Sequence, residues 1–402
     1  MAIVLVTASP NIARVAQALA DEVIFVSGRG EGPLAALREL VDELHSLDLD
    51  DIDGLRSFAD TVLAPRKPDA VVSVAEAGLI AASVLSDRLG TPATPVAVVT
   101  LMRDKFAMRQ HLEQHAPRLS VPYALAADLA KAQKLFNHCP AVVVKPRFGT
   151  GSVNVALAHD PAELERRAAL QPDALVEAFV PGPEYSIEAF SSGGEHHVVA
   201  VAAKETSNRF VELSHIVPPP DMEAGVLERV ESATRELLDV LDLRDGPSHT
   251  EVRVNGEQVK IIETHNRPGG DRIADLVALT VGIDWRRASV GWPIGEGLEQ
   301  SSTDKMTMTA AAGAAAGAAA AVFFAAPPGA VVEVRARPRT VGGADVVDWN
   351  VGVEVGDVVG ELDSSSARLG CAILAGPDPV TVAGAVRELR EGQVVRTSAG
   401  AS

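Results

Sequence analysis

The chain has 402 residues, 47% of them hydrophobic, enough for a sizeable core and for roughly two to four domains. Asp and Glu outnumber Lys and Arg by 54 to 36, a net charge of -18, which disfavours a nucleic-acid or anionic-membrane surface and leaves any phosphate pocket to be built from a few specific cations. The two cysteines, Cys139 and Cys371, lie far apart, so no disulfide framework or zinc spacing follows and a reduced, cytoplasmic setting is expected.

The opening "MAIVLVTASP" lacks a positive leader and reads as a first strand. Residues 3–7, 22–26 and 70–74 are short apolar runs, each followed by a helical pattern such as "GLIAASVLSDRLG". That alternation predicts a parallel α/β layer over residues 1–100. The turn after the first strand reads "TASPN", so the dinucleotide fingerprint G-x-G-x-x-G is absent. "TLMRDKFAMRQHLEQHAP" then reads as one amphipathic helix ending before Pro117.

Paired strands are expected at 141–145, 152–157, 174–180, 184–190, 248–254 and 259–265, with a helix over 223–241. His196 and His197 fall where a turn is expected. Residues 309–330, rich in alanine, carry a GxxxG pattern at Gly313 and Gly317, but alanine is a weak membrane former. An Ala-rich helix or linker feeding a strand is the expectation. Short strands and a final helix near 379–390 complete a small C-terminal cap. The regions read as 1–100, 101–305 with a glycine-loop subdomain at about 118–182, and 306–402.

Two segments carry chemistry. In "VVVKPRFGTGSVNV", Lys145 ends an apolar strand and a loop with Gly149, Thr150, Gly151 and Ser152 follows. Glycine backbones can bring N–H groups close to phosphate oxygens, and Lys145 would add fixed charge. An ordinary hairpin with a solvated lysine has the same appearance. A P-loop is excluded by order, since its lysine follows the glycines, and a protein kinase by the missing H-R-D and D-F-G runs.

"SHTEVRVNGEQVKIIETHNR" reads as two strands joined at Asn255-Gly256. Alternation puts Glu263, His265 and Arg267 on one face of the second strand. Glu251 joins Glu263 on that face only if the hairpin has an odd loop or a one-residue bulge. Two converging carboxylates would suit Mg²⁺ together with substrate phosphates, and Arg267 would suit a phosphoryl group in transfer. A salt-bridge ladder of Glu251, Arg253, Glu263 and Arg267 is the alternative.

The order of "RDKFAMR", "VVVKPRFGTGS", "ALVEAFVPGPEYSIE", "HTEVR" and "IIETHNRPGGDRI" resembles the ATP-grasp superfamily, in its carboxylate–amine, L-amino-acid ligase branch. The resemblance spans about residues 100–290. "GELDSSSARLGCAIL" at 360–374 looks like a strand pair from the cap of such ligases. It implies an α/β and α+β chain: an ATP-grasp fold with an N-terminal Rossmann-like domain and a β-rich cap. It implies ATP and two Mg²⁺ ions, replaceable by Mn²⁺. Lys105, Lys145 and the loop Gly149–Ser152 would hold the phosphates. Glu177, Ala178, Phe179 and Val180 would form the adenine hinge, with the Glu177 carboxylate taking part, and Glu184 would bind the ribose. Glu251 and Glu263 would hold the metal, with His265 or Asn266 as the third residue on that side, because His265 stands where the family has asparagine.

Lys145, Glu188, His265 and Arg267 would be catalytic. Glu188, Lys204, His215, Gly269, Gly270 and Arg272 are candidates for substrate contact: Glu188 for an ammonium, Lys204 or Arg272 for a carboxylate. The implied reaction joins small-molecule carboxylate and amine substrates, amino acids above all, through an acyl phosphate, with a homodimer as the assembly it admits. A biotin-carboxylase-like enzyme activating bicarbonate, or a nucleotide-binding protein without catalysis, are the alternatives.

Overall fold

A computed structural model describes residues 1–30, 35–296, 298 and 316–398. The N-terminal strands pair in parallel, with Ala2–Val6 between Glu22–Gly28 and Ala70–Val72, and Glu43–Leu47 on the edge beyond Glu22–Gly28. Every residue of Ala2–Val6 is buried because helices cover both faces. Val4 and Val6 pack on Leu55, Leu63 and Leu85; Ile3 and Leu5 pack on Ile12, Ala13 and Ala16.

The expected single helix after residue 100 is two, Val96–Arg103 and Lys105–His115. Asp104 between them is extended, and its carboxylate accepts from the N–H groups of Phe106 and Ala107. An aspartate so placed is a strong N-cap and starts a new helix instead of continuing the old one. The break puts Lys105 at the first position of the second helix, buried and aimed at the glycine loop.

A four-stranded antiparallel sheet follows, ordered Tyr123–Leu125, Leu175–Ala178, Val142–Lys145, Ala156–Ala158, with helices Leu129–Lys134 and Pro161–Leu170 behind it. The strand expected at 152–157 begins only at Ala156. Ser152 and Asn154 have φ of 59° and 59°, a left-handed conformation that no strand accommodates.

The largest sheet has nine strands, all pairings antiparallel. Its order is Gln258–His265, Gly246–Asn255, Glu184–Ser192, Glu195–Thr206, Glu212–Val217, Ala318–Phe324, Gly370–Gly376, Ala344–Val351, Thr340–Val341. Body and cap therefore share one continuous sheet. The strands Glu195–Thr206 and Glu212–Val217 were not expected; the turn before them is Gly193-Gly194, so His196 and His197 lie in a strand.

The alanine-rich segment, insofar as it is described, is also a strand. Ala318, Ala320, Val322 and Phe324 face helix Pro379–Glu391, while Ala319, Ala321 and Phe323 face helices Ile273–Val281 and Trp285–Gly291. Helices on both faces leave room for little more than a methyl group, which overrides alanine's weak strand preference. Residues 309–315, with Gly313, lie outside the described residues. Among the described residues no helix is long and apolar enough to cross a membrane.

Candidate active site

The hairpin Gly246–His265 sets the geometry. Its turn is Gly256-Glu257, one residue later than expected, because Asn255 pairs with Gln258. That two-residue loop alone would put Glu251 opposite Ile262 and away from Glu263. Instead the register shifts: Val252 pairs with Ile261 and Glu251 pairs with Glu263, leaving Ile262 as a one-residue bulge. The Ile262 carbonyl accepts from Arg109 Nη2 at 2.8 Å and Lys145 Nζ at 3.5 Å, so the bulge is pinned from the far side of the cleft.

Cross-strand partners share a face, so the register defines three rows across the sheet. One row runs Arg253, Glu184, Lys204, His215 over four strands. The next holds Glu263 and Glu251, and the third His265, His249 and Glu188. All nine side chains lie on one face, opposite the small sheet and its glycine loop.

Between the two sheets is a cleft. Its lining includes every residue implied for nucleotide contact: Lys105, Lys145, Gly149, Thr150, Gly151, Ser152, Glu177, Ala178, Phe179, Val180 and Glu184. Lys105 Nζ bridges the Gly149 carbonyl, at 2.9 Å, and Glu263 Oε2, at 3.0 Å. Phe179 and Phe210 form an aromatic wall, with the Arg253 guanidinium 5.0 Å from the Phe179 ring.

Several expected roles are corrected. The Glu177 carboxylate is buried between Arg109 Nε, at 2.6 Å, and Lys145 Nζ, at 2.7 Å, so it is not free for adenine. The N–H groups of Ala178 and Phe179 are paired with the carbonyls of Pro122 and Ala141. The Ser152 hydroxyl donates to the Phe210 carbonyl at 2.7 Å. Lys204 does not wait for a substrate carboxylate: it lies in the cleft between the sheets, 2.6 Å from Glu251, 3.0 Å from Glu184 and 3.7 Å from Glu212.

Glu188 cannot hold an incoming ammonium. Its Oε1 meets His249 Nδ1 at 2.5 Å, and its Oε2 accepts from Trp285 Nε1 at 2.7 Å and from the Gly269 N–H at 2.9 Å. A Cβ at Gly269 would lie 2.5 Å from Glu188 Oε1, so glycine is needed for that approach. Arg272 does not line the cleft, its guanidinium resting on Asp275 and Asp348.

His265 and Asn266 also part from expectation as metal-side residues. His265 Nε2 lies 3.3 Å from Glu263 Oε1 and Nδ1 lies 2.9 Å from Glu76 Oε2, so both ring nitrogens face carboxylates. Asn266 points into a separate small cavity with Val71, Thr94 and Trp292. His265 is therefore a brace on Glu263. His249 is the matching brace on Glu251, at 3.3 Å, and the two imidazoles stack with centroids 6.4 Å apart.

The charges stabilise one another. Burial would raise the Glu251 carboxyl and lower the Lys204 ammonium. Lys204 and His249 instead hold Glu251 down at about 2, and three carboxylates hold Lys204 well above its ordinary value. Burial likewise opposes the Glu263 charge, but Lys105 and His265 keep it well below the usual carboxylate range. Lys145 is lowered, chiefly by burial.

A second cavity meets the first at Thr150, Gly151, Glu212, Glu251 and Glu263. Its outer wall is Glu76, His215, Arg267, Gly270, Asp271 and Ser365. Arg267 donates Nε to Glu76 at 2.9 Å. Sequence reasoning missed Glu76, Arg109, His249 and Arg368, and it gave Asp271 no role of its own within the candidate run 269–273. Glu76 alone had a usable signal, since it follows the carboxyl end of a parallel strand, where α/β sheets bind ligands. The others act through contacts between distant segments.

Residues 138–275 match the family described as "ATP-grasp domain". The chain therefore carries an ATP-grasp domain over those residues. Residues 322–397, in the cap, match "L-amino acid ligase C-terminal domain 2". Among solved structures, an L-amino acid ligase from Bacillus licheniformis is 20% identical with a TM-score of 0.78, covering 98% of both chains. Phosphoribosylglycinamide synthetase from Anaerococcus prevotii is 17% identical with a TM-score of 0.68, over 93% of this chain and 94% of that one. These likenesses show the fold.

Among curated proteins, the uncharacterized protein y4rH of Sinorhizobium fredii (strain NBRC 101917 / NGR234) is 29% identical over 52% of this chain. Human carnosine synthase 1 is 26% identical over 60% of it. The matches span 45% and 32% of those relatives' own lengths.

Proposed function

We propose that this ATP-grasp protein is an ADP-forming carboxylate–amine ligase. The observation that carries the reading is the bulged hairpin: it sets Glu251 and Glu263 side by side where the nucleotide cleft opens into a second cavity lined by Arg267. In the first step a substrate carboxylate oxygen attacks the γ-phosphorus of ATP, and the bond to the β-phosphate oxygen breaks to release ADP. In the second an amine attacks the acyl carbon, loses a proton, and phosphate leaves.

Lys105 and Lys145 contact the phosphates, and Arg267 offsets charge on the phosphoryl group as it moves. Such transfers depend mainly on positioning and charge stabilisation. Adenine is read through the backbone at Val180, since the neighbouring N–H groups are engaged, and Glu184 faces the ribose. The glycine loop closes over the phosphates and keeps water from the acyl phosphate.

Mg²⁺ fits the donors. Glu251 and Glu263 are hard oxygen ligands, with Glu251 meeting Lys204 and His249 through Oε1. Among the described residues no three metal-binding side chains converge, which suits an ion completed by substrate phosphates and water. Its chemistry there is neutralisation of phosphate charge. The L-amino acid ligase cap favours an amine acceptor over the bicarbonate reading.

Incubation with ATP, Mg²⁺ and pairs of amino acids should release ADP and phosphate with an amide product detected by mass. AMP formation would overturn the acyl-phosphate route. Phosphate release driven by bicarbonate without an amine would favour a carboxylase.

A further inference from the structure

We propose that Asp271 is the anchor for the ammonium group of the amine substrate. This rests on the ligase reading and adds the residue that receives the amine. Of the other carboxylates facing the second cavity, Glu251 and Glu263 are held by Lys204, Lys105 and the two histidines, at the phosphate end. Glu76 is held by Arg103, Arg267 and His265, and Glu212 by Ser365 and Lys204. Asp271 stands away from the phosphates, beside Ser365 and His215.

Its carboxylate is fixed in direction. Arg368 binds both oxygens, Oδ1 at 2.5 Å and Oδ2 at 2.9 Å. An ionised carboxylate has about four lone-pair positions, and a guanidinium fork fills two. His215 Nε2 lies 3.7 Å from Oδ2, which leaves the outer side of Oδ1 for a donor. The guanidinium of Arg368 stacks 3.9 Å from the Phe323 ring centroid, and His215 meets the same ring edge-on at 5.8 Å. Arg368, Phe323 and His215 thus form a rigid frame around one carboxylate.

Two further observations point to a ligand. His215 is 2% exposed and lines the cavity, yet neither ring nitrogen has a hydrogen-bond partner. Native proteins rarely leave such groups unpaired without a functional reason. Asp271 and Arg272 both have left-handed backbones, with φ of 51° and 67°, and strain of this kind gathers at ligand clamps. Burial would raise the Asp271 carboxyl, but His215 and Arg368 hold it below the usual range, so it is charged at neutral pH. A cation with N–H donors fits this wall; an anion does not.

The test separates the two half-reactions. Wild-type protein is given ATP, Mg²⁺, each proteinogenic amino acid as the acid, and hydroxylamine as the nucleophile. Hydroxylamine is mostly uncharged at neutral pH and needs no ammonium anchor, so hydroxamate and ADP report the acyl phosphate. For each acid that reacts, amide formation with amino acids as the amine gives the amine KM. Asp271→Asn should raise that KM about ten- to hundredfold, with the ratio of amide to hydroxamate rate falling by the same order. Asp271→Glu keeps the charge and should raise the KM less, which controls for folding. An unchanged amine KM, or equal loss in both assays, overturns the anchor alone. Absence of hydroxamate and ADP from the wild-type chain overturns the ligase reading and the anchor with it.

Discussion

Where the cleft meets the second cavity, Glu251 and Glu263 come from two strands joined by a two-residue turn. At the outer end, Asp271, His215 and Arg368 come from a loop, a central strand and the cap. The first arrangement follows from pairing register within one hairpin. The second exists only once the cap's strands have extended the body sheet. The contrast teaches that groups suited to phosphoryl transfer can be set by local register, whereas a substrate wall can draw on the whole fold.

The sharpest way to break the comparison is to alter the register itself. Deleting Ile262 should remove the offset that brings Glu251 and Glu263 to one face, taking ATP-dependent ADP release below detection, while Ile262→Val should retain it. Glu263→Gln is next. Loss of a carboxylate facing the phosphates should cost several kcal/mol of charge stabilisation, on the order of 10² to 10³ in ADP release, with weaker Mg²⁺–ATP binding by calorimetry.

Glu177→Gln tests the buried support beneath the nucleotide. It leaves Arg109 and Lys145 without their shared anion and should destabilise the fold by about 3–5 kcal/mol in urea unfolding. The sign with pH follows from the lowered Glu177 carboxyl, whose ordinary value is 4.5. Burial opposes its charge, but Arg109 and Lys145 prevail. Its stabilisation is present above the unfolded pKa and lost as pH falls through the lower folded one. Wild-type stability should therefore drop below about pH 4.5, and the variant should flatten that drop.

His265→Ala removes the brace and not the ligand, so about ten- to hundredfold weaker Mg²⁺–ATP binding is expected. Ser365→Ala should have the smallest effect, a few-fold change in ADP release. The Ser365 hydroxyl donates to Glu212, but its backbone N–H still reaches the Gly151 carbonyl at 3.1 Å.

Much of the fold was legible because it is periodic. The parallel strands at 3–7, 22–26 and 70–74 and the helix at 223–241 stand close to where apolar spacing put them. The helix break at Asp104 was missed because a capping carboxylate outweighs continuous amphipathic spacing. The strand Ala318–Phe324 was missed because its alanines answer to helices on both faces. At the site, Lys145 and the loop 149–152 were legible from a strand end and its glycines, whereas Lys105, residues 177–180 and Glu184 came from the family resemblance; all of them line the cleft between the sheets. Glu188, Lys204 and Arg272 were misassigned because a charged side chain does not announce its partner, and here each partner lies on another strand or loop. His265 was placed on the correct face, but its second neighbour, Glu76, is 189 residues earlier in the chain.

Ile262 shows a different kind of constraint. Its backbone carbonyl is what Arg109 and Lys145 hold, and its side chain only lines the wall. At this position the chain is bound by length before identity. An apolar residue of similar size could stand there, but none could be lost or added without turning a carboxylate to the wrong side of the sheet. A substitution scan would score the position as tolerant; only insertions and deletions would reveal it as the hairpin's most exacting point.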